Sequence, residues 1–267
     1  MSFIDHLEEL RWHLIRAVIA VLIGAIVVFI FIRDIVDTIL FAPAKESFIS
    51  YDWFCRAGRA LGFGDGLCMG GVNVSFLSTR MTEQFISSFT ISFIGGFIVA
   101  FPYVFWEFWR FVKPALSERE LKRTRGIILW VSLLFFTGMA FGYFILTPFM
   151  INFYFNYKLS PLIEIKPTLS DYIENLVYTT AGIGVLFQMP LVVMLLTKVG
   201  FITARFLRTY RRHAFVLILI AAAIITPSTD PFSLTIVTIP LYLLYEASIT
   251  IAARINRRQK KERDEWS

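Results

Sequence analysis

The sequence predicts an all-α integral membrane protein with six transmembrane helices, cytoplasmic N- and C-termini, and a last pair of helices that are short. Composition, long uncharged stretches and the distribution of basic residues predict this class. Of the 267 residues, 57% are apolar and 17% are charged, and the mean hydropathy is +0.66. Soluble domains are about one quarter charged. A chain this apolar has too little polar surface to cover a water-soluble globule.

The predicted spans are stretches of the chain that carry almost no charge. A transmembrane helix needs about 20 mainly apolar residues, and four stretches supply them. A fifth apolar stretch is interrupted at 226–231, where two prolines surround a polar cluster. Such a cluster favours a turn, so this stretch is predicted to be a hairpin of two short helices. The chain 1–267 is then one polytopic domain, with spans at about 14–32, 84–110, 126–157, 172–198, 213–226 and 232–252.

The basic residues predict the orientation of these spans. Segments 110–125, 198–212 and 254–263 hold 6, 5 and 6 Lys and Arg residues, and with Arg11 and Arg16 they account for 19 of the 26. The rule that basic loops stay inside makes this side cytoplasmic, including the charged tail 253–267. Because 198–212 and 254–263 are both basic, an even number of spans must separate them. The net charge of +6 therefore reflects membrane topology, and no nucleic-acid partner is predicted.

The longest segment outside the predicted spans is the outward-facing loop 33–83, which contains both cysteines of the chain. Cys55 and Cys68 lie on the oxidising face, where a disulfide can pin the loop. The alternative is a pair of unpaired thiols. The loop is rich in glycine, which favours turns and irregular backbone.

Motifs for catalysis and metal binding are weak or absent. Tyr51-Asp52 and Gly62-x-Gly64-Asp65 resemble the sequence pairs of intramembrane aspartyl proteases. That chemistry needs two carboxylates sharing a proton inside the membrane, whereas these motifs fall in a polar outer loop. The three histidines show no metal-ligand spacing. We therefore predict a protein that is not an enzyme and that uses no metal or cofactor.

The N-terminal segment has an apolar face and a charged face. Ile4, Leu7, Leu10 and Leu14 recur at helical spacing, which favours a helix lying on the membrane before the chain enters it. Glu8, Glu9 and Arg11 occupy its polar side. The alternative is a solvated helix with ordinary surface ion pairs, which contribute little.

Six short motifs in order resemble the TatC family, the receptor subunit of the twin-arginine protein translocase. The chain opens with His6-Leu7-Glu8-Glu9-Leu10-Arg11, similar to the HLxELR of that family. Five more matches follow: Ala42-Pro43 of the outer loop; Phe111, Pro114, Leu116 and Glu120 of the first cytoplasmic loop; Phe187-Gln188-Met189-Pro190; Thr226-Pro227 with Asp230; and Ile239-Pro240-Leu241-Tyr242 with Glu246. The resemblance covers nearly the whole chain.

The resemblance implies that the protein binds twin-arginine signal peptides of folded proteins at its cytoplasmic face. Glu9 and Glu120 would be the carboxylates that accept the two guanidinium groups, since planar forks suit bidentate pairing. Arg11, Phe111 and Pro114 would shape this site.

The resemblance also implies an assembly in the bacterial cytoplasmic (inner) membrane that exports folded proteins with the proton-motive force. Its members would be TatA- and TatB-type single-span subunits and further copies of the chain itself. Gln188, Pro43 and Asp230 would serve contacts with partner subunits or polar contacts in the membrane. The family often has Glu where this chain has Gln188, and an amide can hydrogen-bond but cannot carry a proton.

A six-span transporter for a small solute is the second interpretation of the same topology. Transporters usually carry charged or unwound helices near the midplane of the membrane. Here Glu107, Asp230 and Glu246 lie near the ends of the predicted spans. A polar solute site inside the membrane is therefore not predicted.

Overall fold

The structure is a computed structural model that describes residues 3–60, 62, 64–68, 76–113, 126–157, 160, 166–226 and 231–264. Pro114, Glu120 and Asp230 lie outside these ranges. The described residues form eleven α-helices and no strand. The helices are α1 (Phe3–Ile30), α2 (Ile32–Ile35), α3 (Ile49–Ala60), α4 (Glu83–Val112), α5 (Ile127–Phe141), α6 (Thr147–Asn156), α7 (Leu169–Leu186), α8 (Met189–Val199), α9 (Ala204–Thr209), α10 (Arg211–Ile225) and α11 (Pro231–Asp264).

Five helical stretches within the described residues are long and apolar enough to cross a membrane. They are Glu8–Ile30, Glu83–Val112, Ile127–Asn156, Leu169–Val199 and Ser233–Gln259. Helix α10 has 15 residues and at 1.5 Å per residue is about 22 Å long, below spanning length as the hairpin pattern predicts. The all-helical membrane architecture is confirmed. The count of six spans and the sidedness of the termini stay predictions.

Helix α1 runs without interruption over 28 residues. The turn that carries Glu9 therefore continues straight into the apolar part of the helix. The separate surface segment expected for the N-terminus is absent from residues 3–30, because nothing in this stretch breaks the helical hydrogen bonds. Glycine and proline, the usual breakers, are missing from 3–23.

The third predicted span contains a π-helical turn, Gly142–Leu146, between α5 and α6. Pro148 lies in the first turn of α6. A proline there lacks an N–H that would bond to the preceding turn, and the wider π turn accommodates its ring. The hydroxyl of Thr147 donates to the carbonyl of Gly142 at 2.9 Å. The helix therefore continues to Asn156.

The prediction that the last helix is short is wrong. Helix α11 has 34 residues and continues through the predicted tail to Asp264. The added stretch is rich in Arg, Lys, Gln and Glu and contains neither glycine nor proline, and these four residue types are strong helix formers. The side-chain amide of Gln259 also donates to the carbonyl of Lys198 at 3.2 Å, which ties the extension to the end of α8.

The first two long helices, α1 and α4, cross with their backbones in contact at Gly24 and Gly96. A Cβ added to Gly96 would lie 2.4 Å from the backbone nitrogen of Ala25, and one added to Gly24 would lie 2.8 Å from the carbonyl oxygen of Gly96. Small residues permit this approach, as in other membrane helix pairs. The crossing determines how the remaining turns of α1 and α4 face each other.

A buried carboxylate joins the loop before α4 to the first turn of α7. Glu83, at the start of α4 and 5% exposed, accepts bonds from the backbone nitrogens of Thr79 at 2.7 Å and Ser170 at 2.9 Å. Leu77 also pairs with the chain around Thr168 in an isolated parallel bridge. The outer ends of α4 and α7 are thereby held together.

The loop between α2 and α4 is only partly irregular. Cys55 in α3 forms a disulfide with Cys68. Asp65, one of the protease-like residues, is an exposed partner of Arg59 at 2.8 Å. The sulfur atoms near Asp65 are bonded to each other and are therefore not available to a metal ion.

Candidate functional site

Three of the five residues expected to bind the signal peptide lie in the described part of the chain. Glu9 and Arg11 are in the second and third turns of α1, with the Glu9 side chain 36% exposed and Arg11 exposed. Phe111 is in the last turn of α4 and is partly buried. Pro114 and Glu120 lie outside the described residues, so their positions stay predictions.

His13 connects the turn that carries Glu9 to the turn that carries Phe111. The imidazole of His13 meets the ring of Phe111 edge to face, with 6.4 Å between the ring centroids. Its Nε2 lies 4.0 Å from a carboxylate oxygen of Glu9, one helical turn earlier. Residues separated by 94 positions or more in sequence are thus neighbours at these ends of α1 and α4. The structure therefore brings Glu9 and Phe111 close to the same side chain, that of His13.

A buried carboxylate, Glu107, lies directly beneath these residues. Its side chain is 1% exposed. One oxygen is 2.5 Å from Nδ1 of His13, and the other accepts a hydrogen bond from the hydroxyl of Tyr103 at 3.0 Å. A buried carboxylate is costly unless it is paired and hydrogen-bonded, and both of its oxygens have partners here.

Two arginines lie around the same carboxylate at longer range. Arg16 approaches Glu107 to 3.9 Å and Arg110 to 3.7 Å, and both guanidinium groups are nearly half exposed. Arg110 also lies over the ring of Trp106, 5.1 Å from its centroid. Positive charge therefore compensates Glu107 from the solvent side, while His13 and Tyr103 hold it from within. We call Glu107 with His13, Tyr103, Arg16 and Arg110 the Glu107 cluster.

Sequence reasoning missed the roles of His13 and Glu107. His13 was considered only as a metal ligand, and Glu107 only as a charge near the end of a span. The sequence feature that indicates their roles is the position of Glu107 among aromatic residues of α4, because a carboxylate in such surroundings needs a hydrogen-bond partner. A histidine one turn after Glu9 is the group that α1 offers at that depth.

Gln188 lies in the break between α7 and α8 and is 8% exposed. Its amide nitrogen donates to the carbonyl of Val131 in α5 at 3.3 Å. Its carbonyl oxygen has no hydrogen-bond partner among the described residues. Pro190 follows at the start of α8, where the missing N–H of a proline is not needed for helical bonding. The side chain thus combines a fixed position with an unused acceptor.

Pro43, also expected at a partner contact, lies buried in a 3₁₀ turn of the outer loop. Its carbonyl accepts a 2.7 Å hydrogen bond from the hydroxyl of Tyr51 in α3. Burial raises the pKa of Tyr51 to about 12. Pro43 is therefore part of the packed outer segment, whereas Gln188 belongs to the helix bundle.

Comparison with known proteins assigns the family. A family model described as the Sec-independent protein translocase protein TatC matches residues 5–240. The chain belongs to the TatC family. Relatives in that family include the TatC of Blattabacterium from Periplaneta americana, 41% identical over 97% of each chain, and the TatC of Aquifex aeolicus, 32% identical over 98% of each chain.

The fold agrees with a solved TatC structure. A crystal structure titled as the twin-arginine translocase receptor TatC is similar with a TM-score of 0.73. It is 30% identical and covers 94% of this chain and 99% of its own. This TatC family member is thus a multi-pass membrane component of a Sec-independent protein translocase. Its relatives are named for transport rather than for catalysis.

Proposed function

We propose that this TatC family member binds twin-arginine signal peptides at the ends of α1 and α4, where His13 lies near both Glu9 and Phe111. The observation that carries the proposal is the contact of His13 with both of these residues, 4.0 Å to the Glu9 carboxylate and 6.4 Å between ring centroids to Phe111. A partly exposed carboxylate next to an apolar ring suits a guanidinium group with an apolar residue near it in the peptide.

The charge around this site supports an arginine-containing ligand. The side of the chain predicted to be cytoplasmic is strongly basic, and Glu9 and Glu120 are acidic exceptions on it. A guanidinium fork pairs with a carboxylate through two parallel hydrogen bonds, which a lysine cannot make. Glu9 would take one arginine of the peptide and Glu120 the other, with Arg11 and Pro114 shaping the approach.

The same proposal includes assembly with single-span TatA- and TatB-type subunits and further copies of the chain in the bacterial cytoplasmic membrane. The carbonyl oxygen of Gln188 is buried and has no hydrogen-bond partner among the described residues, so a polar residue of a partner helix would satisfy it once the surrounding helices move apart. Asp230 would contribute to such contacts directly, and Pro43 would do so by shaping the segment in which it is buried. The assembled complex would export folded proteins with the proton-motive force.

A peptide-binding experiment tests the proposed site. Purified protein in detergent is titrated with a fluorescent peptide carrying two adjacent arginines and with a matched peptide carrying two lysines. Glu9→Lys should weaken binding of the arginine peptide at least about tenfold, because it removes a charge-assisted pair and adds a repulsive charge. The lysine peptide should bind more weakly to the unaltered protein.

Glu8→Lys is the matched control, since it makes the same charge change one residue away on an exposed position of α1. It should leave binding of the arginine peptide within about twofold, the size of a screened surface charge effect. Equal losses for both variants would mean that the protein senses only general charge. Unchanged binding by Glu9→Lys would show that the site is elsewhere.

A further inference from the structure

We infer that Glu107, acting through His13, is a positioning residue for the signal-peptide site. It fixes the turn of α1 that carries Glu9 against the turn of α4 that carries Phe111. This inference rests on the proposed function and adds residues that none of the six family-like motifs contains.

Glu107 is buried although it lies near the end of α4, where a carboxylate could remain in contact with solvent. At 1% exposure it has given up hydration, which a carboxylate does only where fixed donors replace water. Tyr103 supplies one donor from the preceding turn of α4. The other close partner is on a different helix, so the carboxylate links α1 to α4.

The two ring nitrogens of His13 face two different carboxylates. An ionised carboxylate only accepts hydrogen bonds, so the hydrogen in the 2.5 Å contact with Glu107 belongs to Nδ1 of His13. The opposite nitrogen, Nε2, faces Glu9 at 4.0 Å. A hydrogen bond at one imidazole nitrogen sets the orientation and tautomer of the ring. Glu107 thus controls which atom of His13 is presented to Glu9.

Helical register places these residues on two successive turns of α1 and α4. Side chains four residues apart lie above one another on a helix face. Glu9 lies one turn from His13 on α1, and Phe111 lies one turn from Glu107 on α4. The buried pair, His13 with Glu107, occupies one turn of each helix. Glu9 and Phe111 occupy the next turn, which a peptide can reach. Held from below in this way, the binding groups are preorganised.

The Gly24–Gly96 crossing is a second contact that holds α1 against α4, independent of the pair. The two backbones already touch there, eleven residues before Glu107. Breaking the pair should therefore leave the helices packed and loosen only their ends. This separation allows a positioning role to be measured apart from a purely structural one.

The test uses full-length protein, the arginine and lysine peptides, and thermal unfolding in the same detergent. Glu107→Gln keeps the shape of the side chain but removes its charge. It should weaken binding of the arginine peptide about tenfold and reduce the preference over the lysine peptide. The charge-conserving variant Glu107→Asp should retain more of the affinity than Glu107→Gln, because it keeps an ionised acceptor for Nδ1 of His13. A difference of this kind is not expected from a change that merely damages the fold.

Glu246→Gln is the matched control on the last helix. Glu246 also accepts a bond from a tyrosine one turn earlier, Tyr242 at 3.3 Å, and pairs with Arg211 at 2.7 Å. Its neutralisation should change thermal unfolding to a similar extent and leave peptide affinity unchanged. If Glu107→Gln does not yield folded protein, His13→Gln replaces it, since an amide still donates to Glu107 but presents no ring nitrogen to Glu9. That variant should also weaken arginine-peptide binding several-fold.

The outcomes separate this inference from the proposed function. Loss of binding in Glu9→Lys with unaltered binding in Glu107→Gln, or in His13→Gln, would overturn the positioning role alone. Failure of Glu107→Asp to exceed the affinity of Glu107→Gln would overturn it as well. Unaltered binding in Glu9→Lys would overturn the proposed site itself.

Discussion

Replacing Gly96 with alanine should separate the helices that carry the two halves of the proposed site. The new Cβ would lie 2.4 Å from the backbone nitrogen of Ala25 and 2.8 Å from the carbonyl oxygen of Val21. Ordinary contact begins at about 3.4 Å, so α1 and α4 must move apart by about 1 Å. Backbone atoms cannot rotate away as a flexible side chain can. We therefore expect destabilisation near the upper end of the usual overpacking range, about 3 kcal/mol.

The effect should reach the binding site as well as the fold. Glu107 lies eleven residues beyond Gly96, about 17 Å along the helix axis. A displacement of about 1 Å at the crossing is comparable to the tolerance of a preorganised site. Gly96→Ala should therefore lower both the unfolding temperature and the affinity for the arginine peptide, measured by thermal unfolding in detergent and by fluorescence titration.

Gly95→Ala is the control for this prediction. Its Cβ would meet only the side chain of Val28, at 3.0 Å, and a side chain can shift by a few tenths of an ångström. The variant should unfold close to the unaltered protein and bind the peptide normally. The reasoning is refuted if Gly96→Ala is as stable and binds as tightly as Gly95→Ala, because the backbone contact would then not determine the spacing of the helices.

Three further measurements follow from the packing described above. Leu146 is fully buried in the π turn, so Leu146→Ala should cost about 2–5 kcal/mol of unfolding free energy, measured by chemical denaturation. Glu83→Gln should lower the unfolding temperature more than Glu174→Gln, because only Glu83 is buried and bonded to backbone nitrogens of the loop before α4 and of the first turn of α7; equal shifts would contradict that role. Tyr51 should ionise near pH 12 in the folded protein against 10.0 ordinarily. Its contribution to stability is then complete below pH 10 and is lost as the pH rises through 12, which ultraviolet difference spectra of the protein and of Tyr51→Phe can follow.

Hydrophobic length and breaker residues were enough to predict most of the helices. The polar proline cluster at 226–231 separates α10 from α11, and no other signal in the chain would have divided that apolar stretch. The last helix was underestimated because its charged end was interpreted as solvated tail. Arg, Lys and Glu favour helix once a helix has begun, and hydropathy does not register that preference. The π turn at 142–146 leaves no trace in composition, since it depends on how α5 and α6 pack.

The same distinction applies to the site: local motifs predict some of its residues, and helix packing determines the others. Glu9, Arg11 and Phe111 could be named from local motifs because their chemistry is in their own sequence neighbourhood. The pairing of His13 with Glu107 could not, since 94 residues separate them and the contact depends on which faces of α1 and α4 meet. The glycine crossing selects those faces, and glycines among apolar residues, such as Gly24 on α1 and Gly95-Gly96 on α4, do not by themselves predict where two helices cross. Buried partners of this kind become visible only when the packing is known.

With loop 33–83 facing outward as predicted, the redox state of Cys55 and Cys68 reports the direction in which the chain has been inserted into the membrane. Thiols in a bacterial cytoplasm are kept reduced, whereas the space outside the inner membrane oxidises them. The two cysteines are 13 residues apart and precede α4, so the bond can form while the rest of the chain is still being inserted. A chain inserted the wrong way round would keep two free thiols. Labelling of free thiols in protein taken directly from cells would therefore measure the fraction of misoriented molecules, without any fusion or tag.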